Sequence, residues 1–191
     1  MPDLAKMAEN GVRDEAAEKA QAQALIADLG CEDGRVREKA RWALVKIGSP
    51  AVAFLLEAMK SRLEHVRQEA AEALTRIGDP AAAQAFVVAL QDESQGVRWC
   101  AAEGLIALRR EGLKALLRGL IAHAESPWFR EGARHVLRAF SCGFLRGVVI
   151  PILEAFSDVA PLVEIPVAAE KALDELSDFG RFKRRHTDKV R

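Results

Sequence analysis

The chain repeats itself. The phrase VREKARWALVKIG at 36–48 returns as VRQEAAEALTRIG at 66–78, VRWCAAEGLIALR at 97–109 and FREGARHVLRAFS at 129–141, at intervals of 30, 31 and 32 residues. A period in this range belongs to supersecondary units that cannot bury an apolar face alone and therefore stack on one another. Within each copy the apolar residues fall at offsets 0, 4, 7, 8 and 11 from the leading Val or Phe, as in Val66, Ala70, Ala73, Leu74 and Ile77. At about 100° per residue these offsets form one helical stripe. A weaker fifth copy, Ile165, Ala169, Ala172, Leu173 and Leu176, fits the same template.

A second apolar helix precedes each copy, for example Val52, Leu55, Leu56 and Met59, or Leu113, Leu116, Leu117 and Leu120, so each unit is expected to be a helix hairpin. Gly48-Ser49-Pro50 and Gly78-Asp79-Pro80 supply the punctuation. Glycine accepts the left-handed conformation that ends a helix, and proline is tolerated in the first turn of the next. Small residues at offsets 4 and 7 let neighbouring helices approach closely. Ala, Leu, Glu, Arg and Lys dominate, Tyr is absent and aromatics make up 6% of the chain, which favours helix over strand throughout.

Twenty-eight basic residues balance twenty-eight acidic ones, so no global field draws the chain to nucleic acid or an anionic membrane. Only the final stretch RFKRRHTDKVR is locally basic. Cys31, Cys100 and Cys142 are odd in number and widely spaced, a pattern that suits reduced thiols in a cytoplasmic protein. Neither a secretory signal nor a membrane-spanning run is expected from the amino-terminal residues or from any later segment.

The repeated VRxxA, AL and IG(D/S)P elements resemble the short HEAT-like repeats first grouped with phycobilisome lyase subunits, whose pattern is VRxxAAxALGxIGDPxAVPxLxxAL. The resemblance spans residues 20 to 177 and implies an all-α fold, a right-handed α-α superhelix (solenoid) of about five HEAT-like helix hairpins. The expected organisation is a flexible segment at 1–12, a repeat domain at 13–178 and a basic tail at 179–191. The hairpins fall at 13–48, 49–79, 80–110, 111–141 and 142–178. The acidic residue that the family carries about six positions before the arginine is kept at Asp92, and is Cys31 and Ser61 in the preceding copies.

The resemblance also implies that the second helix of each hairpin lines a concave groove. Offsets 2, 6 and 9 lie opposite the buried stripe, and there the copies disagree. Glu38, Trp42 and Val45 are followed by Gln68, Glu72 and Thr75, then Trp99, Glu103 and Ile106, then Glu131, His135 and Arg138. Trp42 and Trp99 suit anchors for a partner, since an exposed indole combines large contact area with a polar N–H. The competing expectation is that both rings tuck between repeats as packing. With Glu38, Glu72, Glu103, Glu131 and His135 around them, the groove is expected to take a protein or peptide partner of basic or amphipathic character. Arg37, Arg67, Arg98 and Arg130 recur at offset 1. Such uniformity points to an inter-repeat structural hydrogen bond rather than to a ligand contact.

The sequence offers little for catalysis. None of the four histidines is followed by Glu, as in the His-Glu dipeptides of HEAT-like deoxyhypusine hydroxylases, and the Glu131/His135 pair at i, i+4 lacks convergent partners. Cys100 beside Trp99 reads as a small half-buried thiol rather than a nucleophile. No catalytic residue, metal or cofactor is expected, and the leading function is a non-catalytic interaction scaffold or adaptor. Two alternatives stand beside it: a bilin-lyase-like or chaperone-like accessory subunit, and a nucleic-acid-binding module resembling the HEAT-like DNA glycosylases. The glutamates of the expected groove disfavour the latter.

Overall fold

Each hairpin boundary is set by local chemistry. Asp33, Ser94 and Ser126 cap helices by accepting from the backbone N–H of Arg35, Val97 and Phe129, which satisfies donors that a helix start leaves unpaired. Gly48 and Gly78 end the second helices of the first two hairpins at φ 77° and 71°. Pro50 and Pro80 then open single 3₁₀ turns that lead into the next helices. The third boundary lacks glycine, and Arg109 at offset 12 takes φ 53° in its place.

The computed structural model describes the backbone of residues 4–187 and the side chains of 16–177 except residue 144. Among these residues there are ten α-helices and no strand: α1 (Leu4–Asp28), α2 (Gly34–Ile47), α3 (Val52–Ala58), α4 (Glu64–Ile77), α5 (Ala83–Ala89), α6 (Gln95–Ala107), α7 (Arg109–His123), α8 (Pro127–Ala139), α9 (Arg146–Ala155) and α10 (Pro161–Thr187). They pair as five hairpins of an all-α solenoid. Of the two terminal segments set apart in the sequence, residues 1–3 and 188–191 lie outside the described residues. The helical backbone of α1 and α10 runs through the remainder.

The second helices stack in one row, α2 on α4, α4 on α6 and α6 on α8. Behind them α1 packs on α3, and α5 on α7. The stripe expected from the repeat is the core: Ala40, Leu44, Val66, Ala70, Ala73, Leu74, Val97, Ala101, Leu105, Phe129, Ala133, Val136 and Leu137 are all buried. Close approach leaves no room for a side chain at Gly104, where a Cβ would stand 2.5 Å from the ring of the fully buried Phe86. The third copy therefore carries glycine where others carry alanine or valine.

The fifth hairpin departs from the others. Its stripe, Ile165, Ala169, Ala172 and Leu176, is buried, but α10 packs chiefly against α7 and α9, while α9 lies against α8. The two layers are exchanged relative to the preceding hairpins. Arg110 of α7 donates to the carbonyl of Leu176, and the Arg134 guanidinium of α8 lies 5.0 Å from the ring of Phe156. The fifth copy thus fits the repeat template without continuing the row of second helices. The amphipathic stripe specifies that α10 is buried on one face, not which layer it joins, and the connection through Ser141, Cys142 and Gly143 replaces the Gly-Xaa-Pro turn of the first two boundaries. The row of second helices consequently ends at α8.

Candidate functional interface

The offset 1 arginines share one geometry. Nη1 of Arg37 donates to the carbonyls of Cys31 and Glu32 at 2.8 and 2.9 Å, and Arg67 to those of Ser61 and Arg62 at 2.9 and 3.2 Å. Arg98 reaches Asp92 and Glu93 at 2.8 and 3.1 Å, and Arg130 reaches Ala124 and Glu125 at 2.5 and 3.0 Å. In each of these four copies the guanidinium ties down carbonyls of the loop just upstream, at the end of the first helix of its own hairpin. The bonds common to the four therefore run within hairpins, and the expected inter-repeat link is added at Arg67 and Arg37 but not, among the described residues, at Arg98 and Arg130. The reason is geometric: offset 1 stands at the start of the second helix, where its long side chain folds back over the loop that delivered it.

Links between hairpins are added only where a carboxylate is in place. Arg67 presents Nε and Nη2 to Asp92, at 2.7 and 2.8 Å, in a bidentate pair whose side chains are 9% and 12% exposed. Charge-assisted forks of this kind are the strong class of hydrogen bond. They hold the Arg67 pKa above its ordinary value, chiefly through the bond to Asp92. Arg37 approaches Glu69 at 3.6 Å. Among the described residues Arg98 faces no such group, because Ala124 occupies the position that Asp92 holds one copy earlier.

The face opposite the buried stripe divides into two halves. In the first, Arg41 of α2 pairs with Glu69 at 2.8 Å and with Glu72, and Glu72 also accepts from Arg76 at 3.1 Å. The Arg76 guanidinium lies over Trp42, 4.6 Å from the ring centroid. In the second half, His135 Nε2 meets Glu103 Oε1 at 2.9 Å, and its ring stands 4.7 Å from that of Trp99. Of the two glutamates expected to select a basic partner, Glu72 is thus neutralised by Arg41 and Arg76 of its own chain, and Glu103 is hydrogen-bonded to His135. Sequence spacing hid this because the partners come from adjacent helices. Glu38 and Glu131 remain exposed and form no ion pair among the described residues. Glu131 does not join His135, which turns instead to Glu103 and Trp99. Among the described residues no three His, Cys, Asp or Glu side chains gather as a metal cluster would require.

The tryptophans do not tuck between repeats. Trp42 is 48% exposed and Trp99 is 58% exposed. A third, Trp128, is also 48% exposed and lies 5.0 Å from the Arg98 guanidinium. Trp128 sits at offset −1, outside the set 2, 6 and 9 from which the groove residues are expected. Its signal was nonetheless present: at about 100° per residue, offset −1 falls about 20° from offset 6 on the helical wheel. Between α6 and α8, Trp99 and Trp128 border a groove of about 520 Å³, lined also by Arg98, Arg130, Arg134 and Arg138. Nearby Cys100 is pushed up to about 11 by burial and then by the Glu72 charge, which makes it a poor nucleophile.

A protein-family model described as HEAT repeats matches residues 22–94 and again 52–138. Together the matches run from α1 to the end of α8 and stop before the hairpin whose layers are exchanged. No curated protein matches the chain. Among solved structures, the crystal structure of an engineered protein from a structural genomics consortium is 18% identical, with 86% of this chain and 92% of that one covered and a TM-score of 0.42. No described helix is long and apolar enough to cross a membrane.

Proposed function

Because the chain belongs to the HEAT-repeat family, we propose that it is a non-catalytic protein-interaction scaffold whose docking surface is the face carried by α2, α4, α6 and α8. The observation that carries this reading is the exposure of Trp42, Trp99 and Trp128 along one row of helices, in a fold that leaves none of its described phenylalanine rings exposed. Leaving an indole in water forgoes the stabilisation its burial would bring, and such rings are the commonest anchors of protein interfaces. The concave side of a solenoid offers an extended surface for a partner segment. Three free thiols fit a reducing compartment, which supports a cytoplasmic site of action.

Photocrosslinking tests the reading. A benzophenone amino acid in place of Trp99, introduced in the native host, should yield one dominant adduct that is lost when Trp42 and Trp128 are both changed to Ala. The same probe in place of Val88, exposed on α5 in the other layer, should yield none. Equal labelling from the two positions would refute the assignment of the face.

A further inference from the structure

The arginines of the two halves differ in what they face. Arg37, Arg41, Arg67 and Arg76 each have a carboxylate oxygen within 4.0 Å. None of Arg98, Arg130, Arg134 and Arg138 has one among the described residues, and all four line the groove between α6 and α8. Arg98 and Arg130 spend Nη1 on loop carbonyls and keep Nε and Nη2 without a protein acceptor. These are the atoms with which Arg67 grips Asp92. The loop carbonyls hold the Arg98 guanidinium in place and the Trp128 ring lies against it, so little side-chain entropy remains to be lost when a carboxylate arrives. Arg98 is a rung of the Arg67–Asp92 type whose acid is missing, because Ala124 stands where the acid would be.

Resting on the scaffold reading above, we propose that this groove receives an acidic peptide segment. One carboxylate completes the Arg98 rung, others meet Arg134 and Arg138, and an apolar side chain lies against Trp99. The charge preference is opposite to the one the glutamates of the sequence suggest, because Glu131 alone among the lining residues opposes the four guanidinium groups, and Glu103 turns to His135 outside the lining. A peptide fits better than a nucleic-acid strand. The basic lining ends at α6, and the same face continues over α4 and α2 into the carboxylates Glu72, Glu69 and Glu38, so a polyphosphate backbone would have no continuous track.

The test is fluorescence anisotropy with the full chain and three labelled probes: a short peptide of Glu and Asp around one Phe, its counterpart with Lys at every acidic position, and a short oligothymidylate. The acidic peptide should bind at least about tenfold tighter than either alternative, the scale of one good charge-assisted contact. Arg138→Glu, at an exposed residue whose side chain makes no bond, and Arg98→Gln should each weaken it by about tenfold or more. Ala124→Asp should also weaken it while raising the melting temperature, because an internal carboxylate would then fill the rung. Equal or tighter binding of the Lys peptide overturns the proposal, as does tighter binding of the oligothymidylate. A folded Ala124→Asp protein that keeps full affinity overturns it as well. If Trp99 crosslinks a partner but the acidic peptide shows no advantage, the scaffold reading stands and the charge assignment falls; if Trp99 and Val88 label alike, the scaffold reading falls first.

Discussion

Replacing Arg67 by Met should cost far more stability than the same change at Arg98, although both residues open the same motif. Both substitutions remove two bonds to loop carbonyls, at 2.9 and 3.2 Å for Arg67 and 2.8 and 3.1 Å for Arg98. Those carbonyls regain water, so about 1 kcal/mol is lost in each case. Only Arg67 adds the bidentate pair to Asp92, and removing it strands a carboxylate whose side chain is 12% exposed and which keeps the backbone N–H of Ser94 at 2.9 Å. Breaking a buried pair costs about 3–5 kcal/mol, and the proximity of solvent places this one at the low end, about 3. Arg67→Met should therefore destabilise by about 4 kcal/mol and Arg98→Met by about 1 to 1.5, the latter including its contact with Trp128. Urea unfolding followed by far-UV circular dichroism measures both. A double-mutant cycle with Asp92→Asn should return a coupling of about 2 kcal/mol. Equal losses at the two arginines, or a coupling below about 0.5 kcal/mol, would refute the reasoning. The view of Arg98 as an incomplete copy of Arg67 would fall with it.

Three further outcomes follow from local geometry. Gly48 and Gly78 both have open space where a Cβ would go, but Gly48 sits at φ 77°, ψ −134° and Gly78 at φ 71°, ψ 24°. The first conformation is essentially closed to other residues and the second is the ordinary left-handed well, so Gly48→Ala should destabilise by about 2–3 kcal/mol and Gly78→Ala by about 1; equal losses in urea melts would contradict this. Arg109 holds φ 53° without the licence of glycine, and Arg109→Gly should raise stability by about 0.5–1 kcal/mol, with thermal melting as the check. Finally, Cys142 is exposed while the Cys100 thiol is raised from 9.0 to about 11, so iodoacetamide at neutral pH should modify Cys142 first and Cys100 last, read by mass spectrometry. A raised folded pKa means that this group's contribution to stability is fully present below 9.0 and lost as pH rises through about 11; Cys100→Ser should flatten the stability profile in that window.

The repeat was legible because it is written in local terms. Helix periodicity, Gly-Xaa-Pro turns and small residues at offsets 4 and 7 act within a few positions of one another, and the core they imply is the core observed. Trp42 and Trp99 were legible as candidates for the same reason, and wheel geometry would have added Trp128. What the sequence could not decide was which polar side chains meet. Glu72 finds Arg41, Glu103 finds His135 and Arg67 finds Asp92 across 31, 32 and 25 residues. Those meetings depend on the spacing and register between stacked helices, which no single helix encodes. The exchange of layers in the last hairpin has the same origin, since a buried stripe demands a partner surface without naming it. The sequence alone therefore determined an array of helix hairpins and the residues that build its core. Only the tertiary structure decided which carboxylates are neutralised and which arginines of α6 and α8 are left to meet a ligand, because electrostatic pairing is set by distances across repeats rather than along the chain.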